Sequence, residues 1–167
     1  VDTRKSEVAA AALDAGADMV NDVSSGLFDP EMLPVVAERG VPYCLMHMPP
    51  DPKTMQAEAN YHDVVAAVFD HLEARIDAAQ AAGVARERII ADPGIGFGKT
   101  LQHNLSILRR LTSYHKLGVP LLVGASRKRF IGTIGGAEDA KDRLGGSVAV
   151  ALYAADRGAH ILRVHNT

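Results

Sequence analysis

The chain has 167 residues, with 18 Lys and Arg against 20 Asp and Glu for a net charge of −2, 47% apolar residues and 5% aromatic ones, the make-up of one globular domain. No run of about 18 apolar residues and no basic-then-apolar leader occurs, so no membrane partner is expected; near-neutral charge argues equally against nucleic acid, which calls for a basic stripe to displace counterions. The single cysteine, Cys44, excludes an internal disulfide and fits a reducing compartment, so a cytoplasmic location is expected.

The chain opens on Val1-Asp2-Thr3, read as the end of a strand, and continues into a helical stretch over 5–13. From there the same punctuation recurs five times: a helix-like segment, a Gly at 16, 40, 83, 118 or 158, and a short apolar run closing on a polar residue. Gly just past a helix is the expected stop, because the left-handed backbone carries no Cβ penalty there. The runs are Asp18-Met19-Val20 ending in Asn21-Asp22, 41–46 ending in His47, Ile89-Ile90-Ala91 ending in Asp92, 119–125 ending in Ser126, and 161–164 ending in His165. Short, β-branched-rich and flanked by turn residues, they read as strands. Between them, Val64, Val68, Leu72 and Ile76 make one apolar helical stripe; Leu105, Leu108 and Leu111 are expected to make another behind a Thr100 cap.

Strictly alternating helix and strand, with the strands nearly apolar throughout, implies an α/β fold with a parallel sheet covered by helices. An open doubly wound sheet and a (β/α)₈ barrel both bind ligands at the carboxyl ends of the strands. A doubly wound sheet concentrates its chemistry at one switch point, whereas all five ends here are polar, which favours the barrel.

Asp92-Pro93-Gly94-Ile95-Gly96-Phe97-Gly98-Lys99-Thr100 imitates a phosphate loop, but Pro93 stands where a Walker loop needs its first Gly, and the dinucleotide spacing fails as well. What remains is a glycine-rich turn behind a carboxylate, open to close approach by a ligand. Ser126-Arg127-Lys128-Arg129 follows the fourth run, and Arg163 and His165, alternate residues of the fifth, point to one side. Two consecutive strand ends thus supply cations, and in barrels the last two strand ends form a recurrent phosphate site. His47 alone reads as a structural histidine, as do His62, His71, His103, His115 and His160; no HExxH or close Cys/His cluster suggests a catalytic zinc, and Cys44 is expected to be buried and unreactive.

Asn21-Asp22-Val23-Ser24, Leu45-Met46-His47-Met48, the 92–99 loop, Gly124-Ala125-Ser126-Arg127-Lys128 and Arg163-Val164-His165 together resemble the dihydropteroate synthase family, in order and over nearly the whole chain. The resemblance implies a (β/α)₈ TIM barrel of folate biosynthesis. The implied enzyme is a transferase that condenses 4-aminobenzoate with 6-hydroxymethyl-7,8-dihydropterin pyrophosphate and releases pyrophosphate. It gives the pterin to Asp2, Asn21, Asp92 and Lys128, the aminobenzoate to Phe97, Ser126 and Lys128, and the pyrophosphate to Arg163 and His165, with Asp2, Lys128, Arg163 and His165 as the catalytic set. It also implies Mg²⁺ on the pyrophosphate, held by a first-strand Asn that this chain lacks, and a homodimer when the barrel is complete.

The chain departs from the family pattern at Asn166, where Asp is usual, at Ser25, where Gly is usual, and at Pro49-Pro50. The repeat length of about 33 residues asks about 260 for eight units, near the typical ~250 of a barrel. Residues 1–167 are therefore expected to be one barrel domain truncated at both ends. Strands three to eight would be present, the first two βα units and the final helix missing, and the chain alone inactive. Two other readings, an inactive pterin-binding fragment and a methyltetrahydrofolate methyltransferase, share the pterin pocket; the second has no need of the 126–128 and 163–165 cations together.

Overall fold

A computed structural model describes residues 1–49 and 61–166. Among these, five strands alternate with helices: α1 (Ser6–Asp14), β1 (Val20–Asp22), α2 (Met32–Arg39), β2 (Tyr43–Met46), α3 (Val64–Ala81), β3 (Ile89–Asp92), α4 (Leu101–Arg109), β4 (Leu122–Val123), α5 (Arg129–Gly135), α6 (Leu144–Asp156) and β5 (Ile161–Leu162). All five anticipated glycines have positive φ, from 61° at Gly40 to 99° at Gly83. The punctuation of the sequence is thus the punctuation of the fold. None of these helices is long and apolar enough to cross a membrane.

Every pairing is parallel and runs in chain order. Val20 lies beside Tyr43, Tyr43 beside Ile89 and Leu122 beside Ile161, and a single bridge between Ala91 and Leu121 joins β3 to β4. A doubly wound sheet would reverse its order at the switch point; this one does not. It also curls. Four inter-strand steps separate β1 from β5, about 19 Å if the sheet were flat, yet Arg163 Nη1, just past β5, donates to Asn21 Oδ1 in β1 at 3.1 Å. Chain-order parallel strands, curled with helices outside, are a TIM-barrel-like α/β arrangement.

β1 to β4 are buried on both faces, as parallel strands covered by helices are, while β5 is partly open, with Leu162 exposed. Tyr43, Leu45, Ile89, Ala91, Leu121 and Val123 pack with the helices, while the alternating Cys44, Ile90 and Leu122 form a separate cluster with Met19 and Ile161 on the concave side. The α3 stripe is as expected: Val64, Val68, Leu72 and Ile76 are all buried, behind an N-cap in which Asp63 accepts from the Val65 and Ala66 amides. The later stripe holds in part: Leu108 and Leu111 are buried and Thr100 caps α4 by accepting from the His103 amide, but Leu105 is exposed, with Asn104 and Ile107 facing inward beside Leu108. The opening segment is also shorter than a strand: Asp2 makes one parallel bridge with Asn21, through Thr3 N to Asn21 O and Asn21 N to Val1 O.

Candidate active site

The concave alternation explains where the chemistry lies. One two-residue step beyond the apolar layer of Cys44, Ile90, Leu122 and Ile161, the same-facing positions are Met46, Asp92, Gly124 and Arg163. Asp92 is 1% exposed. Its Oδ1 accepts from the Gly94 amide at 2.7 Å and its Oδ2 from Arg163 Nη2 at 3.4 Å. Asn21 donates through Nδ2 to Asp2 Oδ2 at 3.0 Å, and Arg163 stands 4.0 Å from that same oxygen. Gly124 makes this possible, since a Cβ there would lie 3.0 Å from the Arg163 guanidinium. Burial raises the Asp92 pKa, and the Gly94 hydrogen bond and the charges of Arg163, Lys99 and Lys128 offset that only in part.

Behind Asp92 the glycine-rich turn is folded tightly onto the end of β2. Gly94 has φ 68°, and a Cβ there would stand 2.0 Å from the His47 carbonyl oxygen. Gly94→Ala adds a left-handed non-glycine residue, at about 1–2 kcal/mol, to a forced backbone shift of about 1–3 kcal/mol. We expect it to lower the unfolding free energy by a total of about 2–5 kcal/mol, read as a lower urea midpoint at unchanged m-value. Gly96 serves differently: its amide donates to Asn104 Oδ1 at 2.8 Å, and its bare Cα lets the Lys128 stem pass, since a Cβ would meet Lys128 Cδ at 2.9 Å. Lys128 Nζ then sits 4.0 Å over the Phe97 ring. Its burial lowers the ammonium pKa, against the pull of Asp92.

The 126–128 turn meets the last strand. Ser126 Oγ lies 3.1 Å from His165 Nδ1, and Arg127, with φ 56°, turns Ser126 and Lys128 inward from a left-handed backbone. That strained residue is held by Ser147 Oγ at its amide, 2.9 Å, and by Arg143 Nη1 at its carbonyl, 3.0 Å. Ser126, Lys128, Arg163 and His165 line a cavity of about 330 Å³. The described residues contain no group of three or more His, Cys, Asp or Glu able to hold a metal ion.

Every site residue expected from the sequence therefore stands at this end of the sheet, in three groups: Asp2, Asn21, Asp92 and Arg163; Phe97 with Lys128; Ser126 with His165. Two departures find a local explanation. Ser25 keeps the backbone a glycine would take, φ 55°, and is fully buried, its Oγ donating to Met46 O and accepting from Met46 N at 2.8 Å each. Asn166 Oδ1 accepts from Arg127 Nη2 at 2.6 Å and not from His165. Pro50 lies outside the described residues. Cys44 is buried, and burial pushes its thiol pKa up, as an unreactive cysteine requires.

Sequence reasoning missed Lys99. This lysine is 3% exposed, and its Nζ lies 2.9 Å from His47 Nδ1, 2.9 Å from Gly94 O and 3.0 Å from Phe97 O. Burial brings its pKa down to about 7, although Asp92 pulls the other way. An ammonium only donates, so His47 Nδ1 accepts and the ring carries its proton on Nε2; burial and the Lys99 charge hold that imidazole neutral, with a pKa lowered to about 2. His71, read as inert, stacks edge-on against His47 at 4.9 Å, with its Nε2 buried and unpartnered among the described residues. One signal for Lys99 was present: a lysine between a glycine-rich turn and a helix N-cap has no helix face on which to reach water.

A family model described as pterin binding enzyme matches residues 1–165. The dihydropteroate synthase of Synechocystis sp. is 47% identical over 166 residues, covering 99% of this chain and 57% of the relative. The crystal structure of the Thermus thermophilus dihydropteroate synthase in complex with 4-aminobenzoate superposes with a TM-score of 0.94 at 53% identity, covering 99% of this chain and 64% of that one. The same enzyme in complex with 6HMPPP gives a TM-score of 0.94 at 53% identity, over 99% and 65% of the two chains. The chain thus spans 57% of the length of that curated relative. A buried carboxylate hydrogen-bonded to a strand-end arginine, on a chain matched by that family model over residues 1–165, leaves one assignment: the chain belongs to the pterin binding enzymes.

Proposed function

We propose that this chain supplies the pterin and pyrophosphate sites of a dihydropteroate synthase, a (β/α)₈ barrel enzyme of folate biosynthesis. The observation that carries the proposal is the convergence on Arg163, whose guanidinium reaches Asn21 at 3.1 Å, Asp92 at 3.4 Å and Asp2 at 4.0 Å. A pterin offers an amide-like N–H beside an amino group, two parallel donors that one carboxylate accepts together. Asp92 has the burial and ionic surroundings for that role. Asn21 matches the mixed donor and acceptor edge, and Lys128 donates to the ring carbonyl and the adjacent nitrogen.

The C–O bond between the exocyclic methylene and the pyrophosphate breaks, and the leaving group departs with the electron pair toward Arg163 and His165. Arg163 has a side chain 38% exposed, so it can give up Asp92 to the pterin and turn outward to phosphoryl oxygens. The positive charge left on the methylene spreads into the ring, and the Asp2 carboxylate is a fixed negative charge beside it. The neutral arylamine of 4-aminobenzoate, held beside Phe97 and Ser126, attacks through its lone pair; the new C–N bond forms and the amine then loses its proton. No strong base is required. Mg²⁺ on the pyrophosphate would need few protein ligands.

The test follows pyrophosphate release by the purified protein given 6-hydroxymethyl-7,8-dihydropterin pyrophosphate and 4-aminobenzoate. The chain covers 57% of that curated relative, so residues 1–167 alone are expected to bind the dihydropterin with little or no turnover, and a full-length protein containing them to release pyrophosphate matched one for one by dihydropteroate. Failure of residues 1–167 to bind the dihydropterin, or binding without turnover by the full-length protein, sinks the proposal.

A further inference from the structure

Lys99 has no place in the chemistry just described, yet it is as deeply buried as Asp92. Leaving an ammonium in so dry a place is costly unless every proton is used. Here each is: His47 Nδ1, Gly94 O and Phe97 O lie at 2.9, 2.9 and 3.0 Å, with His47 O a longer fourth neighbour at 3.3 Å. These acceptors belong to two different elements. His47 follows β2, whereas Gly94 and Phe97 lie at either end of the turn after β3. One side chain therefore ties the turn to the neighbouring strand.

What the turn carries is the pterin side of the pocket. The Gly94 amide holds Asp92 Oδ1 at 2.7 Å. The Phe97 ring carries Lys128 at 4.0 Å. We infer that Lys99 is a positioning residue for the pterin: its ammonium staples the 94–97 turn to His47 and so fixes Asp92 and the Phe97–Lys128 pair in the geometry the pterin requires. The inference rests on the functional reading above. Arg163 and His165 stand on the last strand, and no hydrogen bond links either to Lys99 among the described residues; Arg163 touches the stapled groups only through its 3.4 Å contact with Asp92. A pocket organised in this way has a pterin half that depends on Lys99 more strongly than its pyrophosphate half does.

Calorimetry with two separate probes, 6-hydroxymethyl-7,8-dihydropterin and inorganic pyrophosphate, reads the two halves. Lys99→Met preserves the length and apolar stem. Its pterin affinity is expected to fall about 10- to 100-fold, the loss typical of charge-assisted hydrogen bonds, and its pyrophosphate affinity by no more than about 5-fold, since only the Arg163–Asp92 contact couples the two. In the background of Asp92→Asn, the Lys99→Met change should cost less than in the parent, because one of the two groups it positions is already gone. Equal losses for both probes, or full additivity with Asp92→Asn, overturn the inference in favour of a merely structural lysine. If the methionine variant does not fold, Lys99→Gln, which keeps a neutral donor pair, is measured in its place. Ring-nitrogen NMR of the parent protein tests the staple without any variant: His47 must show the Nε2–H tautomer, and a proton on Nδ1 overturns it. A parent protein that binds no dihydropterin removes the functional reading and this inference together, whereas a parent that binds while Lys99→Met binds equally well removes only the inference.

Discussion

Asp92→Asn is expected to weaken dihydropterin binding about 100-fold or more while leaving the protein as stable as before or more so. The first half follows from hydrogen-bond polarity. The carboxylate accepts two parallel donors, whereas the carboxamide accepts one and turns an N–H₂ toward the other. Losing a charge-assisted bond and leaving a buried donor unpaired costs about 3 kcal/mol or more, hence the factor of about 100.

The second half follows from the sign of the pKa shift. Burial raises the Asp92 pKa above its ordinary 3.8, so the unfolded chain ionises more readily than the folded one, and the native carboxylate opposes folding at neutral pH. That penalty is present above the folded pKa and fades as the pH falls through it toward 3.8. Asparagine is neutral, can still accept from the Gly94 amide and escapes the penalty. A structural carboxylate would behave oppositely, so a clear drop in the thermal midpoint together with unchanged pterin affinity would remove Asp92 from the site. The same sign governs binding in the parent. Pterin affinity is expected to fall on acidification at a pH above the ordinary aspartate range, and the asparagine variant is expected to lack that step.

Why so much of this site could be read before any coordinates is visible in the strands themselves. A parallel strand buried on both faces has to be apolar, so a polar residue closing each run marks the point where the strand leaves the core. Asn21 and Asp92 were legible in this way, and Arg163 as the residue alternate to His165 on the last run. The helix stops were legible because Gly16, Gly40, Gly83, Gly118 and Gly158 each sit where a Cβ is penalised, and each has positive φ. The leucine stripe failed at Leu105 alone, for a reason outside its own period. Asn104 is drawn inward to accept from the Gly96 amide and to donate to the Thr100 carbonyl at 2.8 Å, and that rotates Leu105 toward water. Lys99 and Ser25 were hidden because their partners, His47 and Met46, are supplied by a different strand end, and no local pattern encodes where a side chain folds back. The doubly wound alternative fell only to topology: strand order and the reach of Arg163 across the curl are properties of the assembled sheet.

Arg163 also allows a test in which the two halves of the pocket respond differently. Replacing it by methionine keeps an unbranched apolar stem but removes the guanidinium that bridges Asn21, Asp92 and Asp2. Inorganic pyrophosphate loses a bidentate donor, and its affinity is expected to drop at least about 10-fold, the worth of one hydrogen bond to a charged group. The pterin side should respond through pH. Arg163 is the largest charge lowering the Asp92 pKa, ahead of Lys99 and Lys128. Without it the carboxylate takes up its proton at a higher pH, so the acid-side loss of pterin affinity moves upward, and an ionised Asp92 destabilises the folded state further at neutrality. Titrating dihydropterin binding against pH in both proteins reads that displacement directly. An acid limb at the same pH in parent and variant would show that Asp92 does not feel Arg163, and a limb moved downward would reverse the electrostatics proposed for the site. If instead Arg163 serves only to close the curled sheet, pterin and pyrophosphate affinities would fall together at every pH, with no displacement between them. The two ligands measured over one pH series therefore separate a guanidinium that tunes a carboxylate from one that merely ties strands.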